Sequence, residues 1–244
     1  MNRYFIELSY DGTNYHGWQI QPNAPSVQWI LEEALSTILR EKVAVTGAGR
    51  TDTGVHASYF VAHFDSERDD IDRQENLVFK LNGYLPEDIA IHAVSRVDPE
   101  MHARFSAKSR EYVYRIRKTK PLFNRPFCHY FYYDLDVAKM NEACAALMEY
   151  TDFTSFSKLH TDVKTNNCKV MEAGWVAHED GYDFTIRADR FLRNMVRSIV
   201  GTMLEIGQGK MTLQEFREVI DAKDRSRAGM SVPAKGLFLV DVEY

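Results

Sequence analysis

The chain has 244 residues, 45% of them hydrophobic and 12% aromatic, enough to fill a substantial core in one large or two modest domains. No run of about 18 apolar residues is present to span a bilayer, and Met1-Asn2-Arg3-Tyr4-Phe5-Ile6 enters a strand pattern without a signal-peptide hydrophobic region, so a cytoplasmic protein is expected. Cys128, Cys144 and Cys168 are too far apart for a disulfide framework or a metal knuckle, and the histidines are scattered, so neither a metal nor a cofactor is called for.

In chain order, Arg3 to Tyr10 alternates apolar and polar residues with Tyr4, Ile6 and Leu8 on one face, the pattern of a half-buried strand. Asp11-Gly12-Thr13-Asn14 is turn chemistry, and Tyr15 to Pro22 forms a loop rich in aromatics and amides. Such a loop suits stacking on exposed bases, and equally suits packing over the edge of a core. Ser26 caps a helix running to Leu39 whose stripe is Val27, Ile30, Leu31, Ala34, Leu35 and Ile38. Strands are expected at Glu41 to Thr46 and Val55 to Phe64, a helix at Arg73 to Asn82 stopped by Pro86, and strands at Ile89 to Val97 and Ser109 to Lys118. That order fits a split βαβ unit with helices on one side of an antiparallel sheet.

Pro121 to Pro126 marks the expected boundary between an N-terminal half, 1–120, and a C-terminal half, 121–244. Asp136 opens a helix to Tyr150, and the polar stretch from Asp152 through Asn167 has the length of a functional loop. Strands at Cys168 to His178 and Tyr182 to Ala188 follow, then a helix from Phe191 to Ile206, a shorter one from Thr212, and a last strand from Leu237 to Tyr244. The second half repeats the first in pattern, although not in residues.

The net charge of -5 is unfavourable for a polyanion on average, but the charges are segregated. Eight basic residues stand against the single acid Glu111 between Arg104 and Arg125; Arg187, Arg190, Arg193 and Arg197 form a second basic run, while Asp65, Glu67, Asp69, Asp70, Asp72 and Glu75 are bunched elsewhere. A phosphate-binding face needs such an arrangement, although charge runs also occur as merely solvated faces.

Gly47-Ala48-Gly49-Arg50-Thr51-Asp52-Thr53-Gly54 places three glycines, an Arg and an Asp between two expected strands. Taken by itself the stretch reads as a hairpin turn, or as a loop presenting Arg50 and Asp52 to a substrate. An anion cradle is disfavoured because Asp52 would repel the anion and the Gly-Lys-Ser/Thr ending of a P-loop is missing.

Gly49-Arg50-Thr51-Asp52-Thr53-Gly54-Val55-His56-Ala57 resembles the signature of the pseudouridine synthases, in particular the bacterial tRNA pseudouridine synthase A family. The resemblance continues in order through Arg104-Phe105-Ser106-Ala107, Arg110-Glu111-Tyr112-Val113-Tyr114, Asn194-Met195-Val196-Arg197 and Gly236-Leu237-Phe238-Leu239-Val240. It implies an α+β fold: two ferredoxin-like halves forming a continuous, mainly antiparallel sheet with helices packed on it and a basic cleft between the halves. It also implies a homodimer without cofactor or metal that converts uridines 38, 39 and 40 of the tRNA anticodon arm to pseudouridine. By the same resemblance Asp52 is the nucleophile, Arg50 fills the gap left by the flipped base, and Tyr112 stacks on the uracil. Arg197 pairs with the catalytic carboxylate, Leu237 walls the pocket, and His56 supports the site. The alternative is a noncatalytic RNA-binding protein with the same sheet. Thr151-Asp152-Phe153 replaces the usual His-Asp-Phe, and Lys164 to Val170 replaces an arginine-rich loop; both departures bear on RNA gripping rather than on chemistry.

Overall fold

The protein, a computed structural model, is described for residues 1–74, 76–158 and 165–244. Glu75 of the acidic bunch and Lys164, with much of the expected functional loop, lie outside the described residues. Contacts divide the chain into two units, Met1–Lys108 with Leu239–Tyr244, and Ser109–Phe238.

The first unit runs β1 (Asn2–Tyr10), α1 (Val27–Leu39), β2 (Val45–Gly47), β3 (His56–Ser66), α2 (Leu77–Tyr84) and β4 (Ile89–Val97). β1 lies between β3 and β4 and is antiparallel to both, and β2 is antiparallel to β3. The order β4-β1-β3-β2 is that of the expected split βαβ unit. Tyr4, Ile6 and Leu8 are fully buried with Phe60, Ala62 and Phe64 of β3 and Leu31, Ala34 and Leu35 of α1. Phe5, on the opposite face of β1, is buried as well, because Tyr244 lies against it at 4.9 Å between ring centroids and His63 at 6.5 Å.

Local chemistry accounts for most boundaries. The Ser26 hydroxyl accepts from the Trp29 N–H and starts α1, and Arg40 ends it in the left-handed region at φ 57°. β2 is half the expected length. Side chains of α1 take both backbone groups of Val45: Glu32 accepts from its N–H at 2.9 Å, and Gln28 donates to its carbonyl at 2.9 Å. The expected start of α2 is instead a separate 3-10 turn over Ile71–Arg73.

The second unit contains β5 (Ser109–Arg117), the short β6 (His129–Tyr130), α3 (Val137–Leu147), β7 (Val170–His178), β8 (Gly181–Ala188), α4 (Met195–Gly207), α5 (Leu213–Asp221) and the first two residues of β9 (Leu237–Glu243). β8 is antiparallel to both β5 and β7, and β6 runs parallel to the end of β5. Asp136 caps α3 and Thr212 caps α5 through a reciprocal box with Glu215. The nine strands form one mixed, mainly antiparallel sheet in the order β4-β1-β3-β9-β5-β8-β7, with β2 on β3 and β6 on β5. With five helices packed on it, the architecture is the α+β fold of the expectation.

β5 pairs along its length with β8, from Arg110 opposite Ala188 to Arg117 opposite Gly181, and so belongs to the second contact unit. One expectation is adjusted. α4 begins at Met195 and not at Phe191, because Asn194 sits in the left-handed region at φ 66° and its amide donates to the Ser231 hydroxyl at 2.6 Å. Among the described residues no helix is long and apolar enough to cross a membrane.

Candidate active site

In the first unit the loop between β2 and β3 carries Arg50, which is exposed, and Asp52, which is half-buried, on either side of buried Thr51. Its backbone is held from beneath by the segment that follows β1. The Trp18 N–H donates to the Thr51 carbonyl at 3.4 Å, and the Gly54 N–H donates to the Tyr15 carbonyl at 3.3 Å. The Val55 N–H closes a turn onto the Asp52 carbonyl at 3.1 Å. Below them the hydroxyls of Tyr10 and Thr51 share a buried hydrogen bond of 2.9 Å.

The approach of the two segments is as close as backbone permits. A Cβ on Gly17, which has φ +90°, would stand 2.2 Å from the Thr51 carbonyl oxygen, and one on Gly12 would stand 2.0 Å from that of Val55. Only glycine can occupy either position without displacing the loop. The supporting segment is tied in turn to the start of β4: the Tyr15 hydroxyl donates to Asp88 at 2.5 Å, and the Asp11 N–H donates to the Asp88 carbonyl at 2.9 Å. Burial and that carboxylate together raise the Tyr15 phenol well above its ordinary pKa.

His56, at the start of β3, is buried, and its Nδ1 lies 3.0 Å from both the Gly12 nitrogen and the Asp11 carboxylate. One nitrogen cannot accept from the first and donate to the second at once, so the tautomer chooses between them. Either way the ring braces the loop beneath the site. Tyr15 and Trp18, which the sequence left open as base-stacking residues, are buried, with Trp18 stacked on Phe60 at 4.1 Å. Of the two readings of that loop, packing over a core edge is the one these rings follow.

In the second unit Tyr112 stands on β5 opposite Ile186, buried, with its ring edge-on to Phe191 at 5.0 Å and 88°. Arg197, in the first turn of α4, donates from Nε to the Val232 carbonyl at 2.8 Å, and the Val232 N–H returns a bond to the Arg197 carbonyl at 3.2 Å. Leu237 is buried at the start of β9. The segment before it is fastened to β5, because the Tyr114 hydroxyl donates to the Pro233 carbonyl at 2.8 Å and a Cβ on Gly236 would meet the Tyr114 ring at 2.8 Å. Arg197, Tyr114 and residues 232–237 are thus one packed group, with Tyr112 two residues along the same strand.

Several of the basic residues counted in the sequence are held by carboxylates. Arg117 lies between Asp183 at 2.8 Å and Asp180 at 3.2 Å, and Arg187 reaches Glu111 at 2.7 Å. Sequence reasoning did not single out Tyr10, Gly17, Asp88 or Phe191. Gly17 carried a signal, a lone glycine among aromatics in a loop; the others are ordinary strand or loop residues whose partners are distant along the chain. Among the described residues no three His, Cys, Asp or Glu side chains gather in a way that could hold a metal ion.

A family model described as tRNA pseudouridine synthase matches residues 8–106 and 143–244, which include Arg50, Asp52, Arg197 and Leu237. The chain belongs to this family. It is 58% identical to a tRNA pseudouridine synthase A of Bacteroides thetaiotaomicron, with all of this chain and 91% of that protein aligned. To the protein of the same description from Bacteroides fragilis it is 56% identical over all of this chain and 97% of the relative. To that of a Geobacillus species it is 42% identical over 97% and 96%. Residues 107–142, with Tyr112 and the whole connection from β5 into α3, fall between the two matched segments.

Proposed function

We propose that the chain isomerises uridines 38, 39 and 40 of the tRNA anticodon arm to pseudouridine, with Asp52 as the nucleophile. The observation that carries this reading is the built support under the loop: two glycines, a buried hydroxyl pair and a Tyr15–Asp88 strut fix the backbone on both sides of Asp52 while its carboxylate stays half-exposed. A mere turn does not need that construction, whereas a nucleophile held against one carbon of a substrate does.

The isomerisation breaks the bond from C1' of the ribose to N1 of the uracil, turns the base and rejoins it through C5. A carboxylate suffices as the attacking group: at C1' it is displaced as C5 bonds to that carbon, at C6 it is eliminated after the base has been rejoined, and in either case C5 gives up its proton and N1 gains one. The base must leave its stack to reach a loop carboxylate, at a cost of a few kcal/mol. In this reading Arg50 enters the gap and Tyr112 stacks on the extruded uracil, with its hydroxyl placed to move a proton. Arg197 pairs with the carboxylate and aims it, and Leu237 excludes water from one wall. The substrate reading also carries a homodimer and a cytoplasmic setting, as the resemblance implies.

The test is tritium release from tRNA labelled at uridine C5, with the natural chain and Asp52→Asn compared, alongside a binding titration of both. Release that disappears in the variant while binding persists is the expected result. Binding without release by the natural chain would replace the enzyme reading with that of a noncatalytic RNA-binding protein.

A further inference from the structure

The connection from β5 into α3, residues 119–133, has a surface that the catalytic proposal does not use. It contains no acidic residue, two basic residues, Lys120 and Arg125, and a run of rings. Phe123 is 94% exposed and Tyr132 60% exposed, and Tyr130 and Tyr133 are exposed too. Tyr132 and Tyr133 are stacked on each other, with centroids 4.1 Å apart and planes at 30°, and their hydroxyls are joined at 2.7 Å. The Arg125 guanidinium donates from Nε to the Leu122 carbonyl at 3.2 Å and is otherwise turned to solvent. The nearest acid along the chain, Asp134, is engaged by Lys118.

So many ring faces left in water mark a contact surface and not a core that failed to close. The choice of occupant follows from charge and chemistry. A second copy laid on the same segment through a two-fold axis would set this surface against itself, and residues 119–133 offer no carboxylate to meet Lys120 and Arg125. An aliphatic partner would favour branched apolar side chains, of which the segment exposes Leu122 alone, over phenols carrying polar hydroxyls. Flat, amphipathic rings interleaved with cations match unpaired or splayed nucleotides, whose bases offer π-faces and whose backbone offers phosphates. In a chain of net charge -5, the strap lies within the longest acid-free run, from Tyr112 to Tyr133, which a polyanion would exploit.

We propose that residues 119–133 form an auxiliary RNA-binding strap that contacts tRNA outside the anticodon arm, with Tyr132 and Phe123 stacking on bases and Lys120 and Arg125 on phosphates. This rests on the tRNA reading above. It extends that reading by predicting recognition of more of the substrate than the arm being modified.

The experiment measures binding of the whole chain to a fluorescently labelled full-length tRNA transcript and to the isolated anticodon-arm hairpin, over a series of salt concentrations. Tyr132→Ala is expected to weaken binding of full-length tRNA about tenfold, the effect of losing one stacked base, and to leave the hairpin unaffected. Tyr132→Phe, which keeps the ring, should restore most of the loss. Arg125→Gln should lower the slope of log K against log salt for full-length tRNA by about 0.7 to 0.9.

Unchanged affinity and slope in a chain that still isomerises uridine would overturn the strap and leave the synthase reading standing. A strap-dependent affinity in a natural chain that forms no pseudouridine would do the reverse. Sedimentation of the same variants tests the other occupants. A smaller species than the natural chain would assign the surface to a second copy, and loss of binding to phosphatidylserine vesicles with unchanged tRNA affinity would assign it to a membrane. Either result overturns the proposal.

Discussion

Gly17→Ala tests whether the support beneath Asp52 governs catalysis. The added methyl would lie 2.2 Å from the Thr51 carbonyl oxygen and 3.2 Å from the Asp52 carbonyl carbon, whereas contacts under 3.0 Å are essentially never made by real Cβ atoms. Either the loop or the Gly17 segment must therefore retreat by at least 0.8 Å, and the chain must also hold alanine at φ +90°. The left-handed conformation alone costs roughly 1 to 2 kcal/mol for a residue with a Cβ. For a chain of this size, about 2 kcal/mol lowers Tm by about 4 to 8 °C. A displacement approaching 1 Å at a catalytic group costs on the order of a hundredfold in rate, so kcat for tritium release should fall by about that factor with KM for tRNA little changed. Gly49→Ala is the internal control: it lies in the same loop, has no positive φ, and its Cβ would meet nothing within 4 Å, so its Tm should match the natural chain. A Gly17→Ala protein with native Tm and a rate within about twofold of native would refute the argument that the pinch positions Asp52.

Burial of His63 makes the first unit sensitive to acid. Its ring is almost inaccessible, its Nδ1 accepts from the Ala103 N–H at 3.1 Å, and its pKa is lowered from 6.5 to about 4, first by burial and then by the charges of Arg3 and His102. The unfolded chain binds the proton near pH 6.5 and the folded chain only near pH 4, so stability is complete above about pH 6.5 and is lost as pH falls towards 4, by up to about 3 kcal/mol. Urea midpoints measured between pH 7 and pH 4.5 should show this loss, and His63→Gln should flatten it; an equally steep profile in the variant would exclude His63 as the source. In the second unit, a Cβ on Gly201 of α4 would lie 1.8 Å from the Met230 carbonyl oxygen, so Gly201→Ala should prise residues 229–232 from the helix and destabilise by roughly 1 to 3 kcal/mol. A chemical denaturation midpoint equal to that of the natural chain would show that the strand of chain over α4 yields freely.

Sequence alone determined what depends on neighbours along the chain. The Ser26, Asp136 and Thr212 caps, the alternation of β1, and the extents of β4 and β5 follow from hydrogen bonds and side-chain periods that span a few residues. The signature around Asp52 was likewise legible, because a string of specific residue types survives without coordinates. Tertiary structure decided whatever depends on residues far apart. Tyr15 meets Asp88 across 73 positions, Asn194 is drawn out of the helix by Ser231 across 37, and Tyr114 bonds to Pro233 across 119. The burial of Phe5 required the last residue of the chain, and the membership of β5 required its partner β8. None of these pairings has a local period or a cap to announce it. Each arises because closing the sheet brings those backbones together, and the energy of the contact appears only when the fold exists.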